Sequence, residues 1–251
     1  MSKLVAVVGA MGAGKTKKLV ETFNKLSETG RTVSVFKHTM DVKRDGQRSN
    51  VTARDGSSVP ATVISTLSEI MDYEPSSGFD VILIDEIQFF DDEYTLEVVE
   101  ELVTNGVEIH VFGLDLNSDF ESFGLMGEIL ALADEVKKIK CKCHICKSPA
   151  RVSMFLKGKK DSEIQVGGLE DYKPTCRSCF YMMKNIEEDM EKQTIRSVIL
   201  RTKDMEVELM ISDEDLQKAG YTIEDIRDIN STVGMTNLLK DIGAGELLDD
   251  G

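Results

Sequence analysis

The residues at positions 9–16 have the types and spacing of a loop that binds phosphate. They read Gly-Ala-Met-Gly-Ala-Gly-Lys-Thr and match the pattern G-x-x-x-x-G-K-[ST] at every fixed position. Glycines allow backbone N–H groups to surround phosphate oxygens, and the start of a following helix adds partial positive charge. We expect Lys15 to reach the β- and γ-phosphates of a nucleoside triphosphate and the Thr16 hydroxyl to bind Mg²⁺. The alternative interpretation is an ordinary glycine-rich turn between a strand and a helix.

Two carboxylates, Asp85 and Glu86, follow the apolar run at 81–84. A buried strand of this kind places Asp85 at the carboxyl edge of a parallel sheet, beside the phosphate loop, where a carboxylate holds Mg²⁺ or its water. Glu86 is then placed to act on the oxygen that attacks the γ-phosphate. The alternative is a solvated acidic turn. The two motifs indicate binding of a nucleoside triphosphate, without distinguishing a small-molecule kinase from an ATPase or a GTPase.

Four cysteines have the spacing of a zinc site. They form two C-x-x-C pairs, Cys143 with Cys146 and Cys176 with Cys179. Four thiolates suit tetrahedral Zn²⁺ with no open position for catalysis. Cys141 is left over, and a redox role for the C-x-x-C pairs is the alternative. Zinc at these residues would hold both ends of the segment 150–174, which predicts a tethered loop able to close over a ligand.

The elements that position these residues alternate between strand and helix. Short apolar runs predict strands at 4–8, 32–36, 81–84, 108–112 and 136–139. Helical periodicity predicts helices at 18–28, 94–103 and 126–133. This alternation favours an α/β fold of the P-loop NTPase type, in which a mostly parallel sheet is flanked by helices. Residues 39–60 have little apolar periodicity and are predicted to form a long loop.

A change in composition near residue 137 divides the chain. We predict a nucleotide-binding α/β domain at 1–140, a small zinc-binding module with its tethered loop at 141–184, and a C-terminal extension of unknown role at 185–251. Within the extension, the apolar pattern predicts a strand pair at 198–211 and a helix at 216–229.

The composition is that of a globular protein with a strong negative charge. The 251 residues include 30 Lys and Arg against 45 Asp and Glu, a formal net charge of −15, with 41% hydrophobic and 30% charged residues. A chain this acidic is not expected to coat nucleic acid or to bind anionic membranes. No apolar run reaches the roughly 18 residues of a membrane-spanning helix. Because the cysteines do not fit a secreted disulfide framework, we expect the chain to work in the cytoplasm.

Several stretches, taken in order, resemble the cellular-type (type II) thymidine kinases, a zinc-containing family. The resemblance covers roughly residues 1–183. The stretches that carry it are residues 9–16, 52–56 (TARDG), 84–90 (IDEIQFF), 113–115 (GLD) with Phe120 and 123–124, and 166–168 (VGG) with Tyr172 and 176–180 (CRSCF). The resemblance implies transfer of the γ-phosphoryl group of ATP to the 5′-hydroxyl of thymidine or deoxyuridine, with Mg²⁺ and a structural Zn²⁺.

The resemblance also implies roles for individual residues, with Glu86 as the general base for the hydroxyl. The residues implied to bind ATP and Mg²⁺ are Gly9, Ala10, Met11, Gly12, Ala13, Gly14, Lys15, Thr16, Asp85 and Gln88. The residues implied to surround the nucleoside, beneath a zinc-tethered lasso loop, are Met11, Phe89, Leu114, Phe120, Ser153, Val166, Gly167, Gly168 and Tyr172. Core packing is the alternative interpretation for Met11, Leu114 and Phe120.

The sequence departs from the family pattern in four places, one of which is the stretch 116–120, where extra residues precede Phe120. Residues 41–43 read Asp-Val-Lys where family members usually carry Asp-Thr-Arg, so it stays open whether Lys43 or Arg44 neighbours the phosphates. Ser153 begins a Ser-Met-Phe stretch where the lasso often has Thr-x-Arg. Residues 185–251 have no counterpart in the family pattern. The likeness further implies a homo-oligomer, commonly a tetramer.

Two other functions stay open from the sequence. One is an ATP-driven switch whose zinc module binds nucleic acid, which the lysines between 137 and 160 favour and the net charge opposes. The other is a nucleotide sensor whose C-terminal extension binds a protein partner. ATP turnover that depends on thymidine would distinguish a kinase from both.

Overall fold

The structure of the protein, a computed structural model, describes residues 2–45, 49–73, 78–156, 167–192, 195–201, 206–221 and 232–241. Packing contacts divide the chain into two compact units, Met1–Phe180 and Tyr181–Gly251. The predicted zinc module therefore shares a unit with the residues before it as far as Phe180. The three-part division of the chain stays a prediction.

The first unit alternates strands and helices along most of its length. Its first half contains β1 (Lys3–Val8), α1 (Lys15–Ser27), β2 (Val33–His38), α2 (Thr39–Asp45), β3 (Asn50–Thr52), β4 (Ser58–Pro60), β5 (Thr62–Ile64) and a 3₁₀ helix at Leu67–Asp72. Its second half contains β6 (Val81–Asp85), a 3₁₀ turn at Ile87–Phe89, α3 (Thr95–Thr104), β7 (Glu108–Gly113), α4 (Met126–Leu132), β8 (Glu135–Lys138), β9 (Val152–Phe155), β10 (Tyr172–Thr175) and the start of α5 (Arg177–Lys192).

Six of these strands form one parallel sheet in the order β5-β2-β6-β7-β1-β8. The five strands predicted from apolar runs are all present in it, which confirms the α/β architecture. These runs are apolar on both faces because helices cover both sides of a parallel sheet. The carboxyl ends of the strands meet at one edge, where β7 lies between β1 and β6.

The sheet separates two apolar clusters. One face packs against the helix at Leu67–Asp72, α3 and α4 through residues such as Ile82 and Ile84. The other face packs against α1, where Leu83 shares a cluster with Leu19. Full burial of a Leu or Ile side chain contributes about 1.5–3 kcal/mol. These clusters therefore stabilise the sheet, including the edge that carries the phosphate loop.

The prediction of a long loop at 39–60 is wrong. The segment contains α2, which begins directly after β2, and an antiparallel hairpin of β3 and β4. Val51 and Val59 join the cluster on α1, and their neighbours in the hairpin are more exposed. Each strand contributes one buried residue, which is too few for hydrophobic periodicity to detect.

The second unit contains β11 (Ile195–Arg201), β12 (Glu206–Ser212), α6 (Asp213–Lys218) and α7 (Thr232–Asp241). The antiparallel pairing of β11 with β12 confirms the strand pair predicted at 198–211. The helix predicted at 216–229 is not continuous, because α6 ends at Lys218 and Gly220 has a φ of 81°, a conformation that ends helices. Residues 222–230 lie outside the described residues. No helix in the described ranges has both the length and the apolar composition that crossing a membrane requires.

Candidate active site

The phosphate loop joins β1 to α1 at the carboxyl edge of the sheet. Gly12 and Gly14 have φ values of 79° and 92°, a left-handed conformation that a residue with a Cβ atom adopts only with strain. Gly9 is required by close approach, because a Cβ atom there would lie 2.3 Å from the carbonyl oxygen of Ile139. The helix begins at Lys15, earlier than predicted, so its unpaired N–H groups lie at the loop.

The side chain of Lys15 lies inside the phosphate loop. Its Nζ atom donates to the carbonyl oxygens of Gly9 at 2.9 Å and Ala10 at 3.4 Å, and the residue is buried. Thr16 follows in the first turn of α1. A buried ammonium group, a glycine-rich backbone and a helix N-terminus suit an anion with several oxygens, such as a phosphate.

Two buried carboxylates lie at the end of β6. Asp85 is 3% exposed and Glu86 is 7% exposed. Glu86 has a φ of 50° and a ψ of 46°, a left-handed conformation that costs a non-glycine residue about 1–2 kcal/mol. Backbone strain of this kind concentrates at functional sites. The strained residue turns the chain out of β6 into the 3₁₀ turn at Ile87–Phe89.

A buried amide holds the carboxylate of Glu86. Gln88 Nε2 donates to Glu86 Oε2 at 2.7 Å, and Gln88 Oε1 accepts from the N–H of Leu114 at 3.0 Å. Gln88 is 1% exposed. A Cβ atom on Gly113 would lie 2.4 Å from Gln88 Oε1. The glycine that ends β7 therefore makes room for the amide between Glu86 and the Leu114 backbone.

The phosphate loop and Glu86 line a single cleft of about 670 Å³, a volume typical of small-molecule sites. The residues that line it are Met11, Gly12, Gly14, Lys15, Thr16, Lys17, Thr52, Arg54, Asp55, Glu86, Gly168, Leu169 and Glu170. The structure thus brings together predicted phosphate-loop residues, the predicted base and Gly168 of the predicted lasso, although β7 separates β1 from β6.

Two polar links join residues 151–153, at the base of the lasso loop formed by 150–174, to the carboxyl edge of the sheet. Ser153, on β9, is buried and accepts a hydrogen bond from the N–H of Met11 at 2.8 Å. Asp115 Oδ2 accepts from Lys138 at 3.0 Å and from Arg151 at 3.4 Å. Because β9 pairs with β10, these contacts tie the hairpin at the base of the lasso to the phosphate loop and to β8.

Two other predicted nucleoside residues carry aromatic rings in packed surroundings. Phe89 lies edge-to-face against Phe123, with ring centroids 6.1 Å apart. Tyr172 is buried, and its ring centroid lies 5.1 Å from that of Phe155. Burial raises the pKa of the Tyr172 hydroxyl, so this hydroxyl keeps its proton at neutral pH.

Phe120 contacts the beginning of α5. Its ring centroid lies 4.5 Å from the guanidinium carbon of Arg177 and 5.2 Å from the ring centroid of Phe180. These contacts are those of a packing residue, and a role for Phe120 at the nucleoside stays a prediction. Val166 lies outside the described residues, and Gly167 is half-buried.

The four cysteines predicted to bind zinc converge. The sulfur atoms of Cys143, Cys146, Cys176 and Cys179 all lie within 4.8 Å of one another. Zn–S bonds of about 2.3 Å in a tetrahedron separate the sulfurs by roughly 3.8 Å, so this group could hold a zinc ion. Cys141 lies outside the group, with its Sγ 3.7 Å from the carbonyl oxygen of Met11.

The thiols of this group differ in their tendency to ionise. Hydrogen bonds from Ser148 lower the pKa of Cys146 to about 6. The pKa of Cys179 is raised to about 12, first by its hydrogen bond with Cys146 and then by burial. Because neighbouring thiolates repel each other, a bound divalent cation is what would allow all four sulfurs to be charged together.

The tip of the β3–β4 hairpin was not among the predicted site residues. It contributes Arg54 and Asp55 to the cleft, and Asp55 forms an ion pair with Lys17 of α1 at 3.1 Å. The only sequence signal for it is that residues 52–56 carry part of the family resemblance. The side chains of Lys43 and Arg44 lie outside the described part of the structure.

Comparison with known proteins finds one family model and several relatives of the same name. The family model for thymidine kinase matches residues 2–180. The chain is 33% identical to a thymidine kinase of Porphyromonas gingivalis over 174 residues, which cover 69% of this chain and 82% of the relative. It is 31% identical to a thymidine kinase of Bacteroides thetaiotaomicron over 178 residues, which cover 71% and 86%. A crystal structure of a DNA replication initiation factor aligns with 99% of this chain and 58% of its own at 13% identity and a TM-score of 0.34, too low to support an argument.

Proposed function

The chain belongs to the thymidine kinase family, and we propose that it transfers the γ-phosphoryl group of ATP to the 5′-hydroxyl of thymidine or deoxyuridine, with Glu86 as the general base. The observation that carries this proposal is the cleft that Glu86 shares with the phosphate loop. A carboxylate on the wall of such a cleft is placed to act on a hydroxyl that approaches the γ-phosphate. The comparisons do not favour the alternatives of an ATPase or a nucleotide sensor.

The transfer step needs alignment and one proton acceptor. The hydroxyl proton moves to the carboxylate of Glu86 while the 5′-oxygen forms a bond to the γ-phosphorus. The bond from that phosphorus to the β,γ-bridging oxygen breaks, and the products are ADP and the nucleoside monophosphate. Gln88 orients the Glu86 carboxylate because burial and the Leu114 N–H fix its amide. We therefore assign Gln88 as a positioning residue, in addition to the ATP and Mg²⁺ contact that the resemblance implies.

The phosphate loop would hold the triphosphate. The Lys15 ammonium group and the phosphate-loop N–H groups offer donors to the phosphate oxygens. The exceptions are the N–H groups of Met11 and Ala13, which donate to Ser153 and to the carbonyl oxygen of Ala10. Thr16 and Asp85 carry the hydroxyl and carboxylate oxygens that Mg²⁺ prefers, and they are the residues that would hold it. Bound Mg²⁺ would offset the negative charge of the β- and γ-phosphates.

The lasso would bind the nucleoside and exclude water from the cleft. We propose nucleoside contacts from Met11, Phe89, Leu114, Phe120, Ser153, Val166, Gly167, Gly168 and Tyr172. Zinc at the four cysteines would hold the two ends of the lasso, whose residues 157–166 lie outside the described part of the chain. Exclusion of water favours transfer to the nucleoside over hydrolysis of ATP.

We also propose a cytoplasmic location and a homo-oligomeric state. Reducing conditions in the cytoplasm keep cysteines as thiols that can bind zinc. The tetramer is an expectation from the family likeness alone. Size measurement in solution would test the oligomeric state, and zinc analysis of the same preparation would test whether the cysteines bind metal.

The variant Glu86→Gln tests the proposed base. We expect its kcat for thymidine phosphorylation to fall by about 10²–10⁴-fold, the range for a lost general base, while ATP still binds. Glu93→Gln is the matched control, because Glu93 is an exposed carboxylate a few residues further along and does not line the cleft. ADP formation should be measured with and without each deoxynucleoside. A near-wild-type kcat for Glu86→Gln would remove Glu86 from this role, and ATP turnover independent of any nucleoside would indicate an ATPase.

A further inference from the structure

The β3–β4 hairpin is anchored in the core through its strands and closed by a hydrogen bond at its tip. Val51 and Val59 are buried in the cluster that contains Leu19 of α1. At the tip, the N–H of Ala53 donates to the carbonyl oxygen of Ser57 at 2.8 Å. The anchored strands and this closing hydrogen bond define the backbone position of the intervening residues.

An ion pair sets the tip beside the phosphate-loop helix. Lys17 Nζ lies 3.1 Å from Asp55 Oδ2, and Asp55 Oδ1 accepts from the N–H and the hydroxyl of Ser57. Hydrogen bonds from Ser57 and then from Lys17 hold the pKa of Asp55 at about 2. Asp55 is therefore charged at neutral pH, and its ion pair with Lys17 connects the tip to the first turn of α1.

This arrangement leaves the Arg54 side chain facing the phosphate loop. Its Nη1 atom lies 3.7 Å from the position that a Cβ atom on Gly12 would occupy. Arg54 lines the same cleft as Lys15 and Glu86. Within the described ranges no carboxylate forms an ion pair with Arg54, whereas the neighbouring Lys17 is paired with Asp55.

We propose that Arg54 is a catalytic residue that contacts the γ-phosphate of the bound triphosphate and stabilises the charge on the phosphoryl group during transfer. A guanidinium group presents several N–H donors in one plane, which suits two phosphate oxygens at once. The role rests on the proposed function, since it requires a triphosphate in the loop and an acceptor near Glu86. Arg54 would also be a cation beside the phosphates that comes from a part of the chain other than Lys43 and Arg44.

The variants Arg54→Gln and Arg54→Lys test this role in the full-length protein. We expect Arg54→Gln to lower kcat for thymidine phosphorylation by about 10²–10³-fold, the range for one lost charge-stabilising donor. Arg54→Lys should restore only part of the activity, because an ammonium group lacks the planar pair of donors. Lys18→Gln is the control: Lys18 is an exposed cation on α1 that pairs with Glu21 and does not line the cleft.

Binding measurements give a readout that does not depend on turnover. Arg54→Gln should weaken binding of a non-hydrolysable ATP analogue more than binding of ADP, because only the analogue carries a γ-phosphate. Equal weakening of both ligands, or no change in kcat, would overturn the role of Arg54. If the wild-type protein did not phosphorylate thymidine, the proposed function would fail, and the comparison of the analogue with ADP would still decide whether Arg54 contacts the γ-phosphate.

Discussion

The phosphate-loop edge of the sheet and the cysteine module hold their side chains in place by different means. At the sheet edge, the loop and Glu86 follow β1 and β6, whose residues are almost entirely buried. In the cysteine module, β9 and β10 have only 4 residues each, and Cys146 is exposed. Buried strands of one large sheet stabilise the first region. The second has a short hairpin, of which β9 is buried, and four sulfurs that converge within 4.8 Å.

This difference has a mechanistic consequence. A site on a buried sheet stays in place without its ligand. A module organised around a metal loses its ordered structure when the metal dissociates, because metal binding and folding are coupled. The two regions meet through the hydrogen bond that the Met11 N–H donates to Ser153 and through the ion pairs of Asp115. Damage to one region should therefore leave much of the other intact.

Loss of the metal should produce the largest difference between the two regions. We expect Cys176→Ser to lose zinc, because structural zinc in small cysteine sites contributes on the order of 10 kcal/mol to folding of the segment that binds it. Amide exchange should increase in residues 141–156 and 167–180, while β1 and β6 keep their protection. Hydrogen exchange by mass spectrometry and zinc analysis measure both effects.

Cys141→Ser is the matched control for the zinc prediction, because Cys141 lies outside the sulfur group. It should keep its zinc and its exchange pattern. Metal removal should abolish thymidine binding before it weakens ATP binding. If ATP binding fell while thymidine binding survived, the assignment of the module to the nucleoside side would be wrong.

Removal of the link between the two regions should have an intermediate effect. Ser153→Ala leaves the partly buried N–H of Met11 without its acceptor, at a cost of no more than about 1–3 kcal/mol. Because the lost bond joins the loop to β9, we expect both ATP and thymidine to bind more weakly, as measured by titration calorimetry. Ser153→Thr retains a hydroxyl and should restore both affinities. Weakened binding of only one ligand would show that the link does not couple the two regions.

The smallest expected effect concerns the sheet alone and appears as a pH dependence. Burial lowers the pKa of His110 from its usual value of 6.5, against the opposing effect of Glu108, which lies 2.7 Å away. As the pH falls below 6.5, His110 binds a proton in the unfolded chain but not yet in the folded protein. The free energy of unfolding should therefore decrease with falling pH until the pH reaches the lower pKa of His110 in the folded protein. The slope is at most about 1.4 kcal/mol per pH unit for one proton.

Urea unfolding between pH 7.5 and 5.5 would measure this dependence. His110→Gln should unfold with a shallower pH dependence than the wild type, because it lacks the proton-binding group. Asn105→Gln is the control, since Asn105 is exposed and carries no titrating group, and it should keep the wild-type slope. Equal slopes for His110→Gln and the wild type would contradict the prediction.

The features predicted correctly from the sequence are those with a local physical cause. Apolar runs predict buried strands because both faces of a parallel sheet are covered. The hairpin at 50–60 escaped prediction because Val51 and Val59 become a pattern only when α1 packs against them. The hydrogen bond from Gln88 to Glu86 was not predicted for a similar reason. The Gln88 side chain fits only because Gly113 of a neighbouring strand lacks a side chain.

The sequence by itself determined the phosphate loop and the two cysteine pairs, because glycine conformation, side-chain chemistry and ligand spacing act over a few residues. Only the tertiary structure decided that Glu86 faces the same cleft as Lys15 and that Arg54 reaches this cleft from a hairpin. Tertiary packing also brought Cys143 to Cys176. These contacts join residues far apart in the chain, and their positions follow from how strands and helices pack rather than from local pattern.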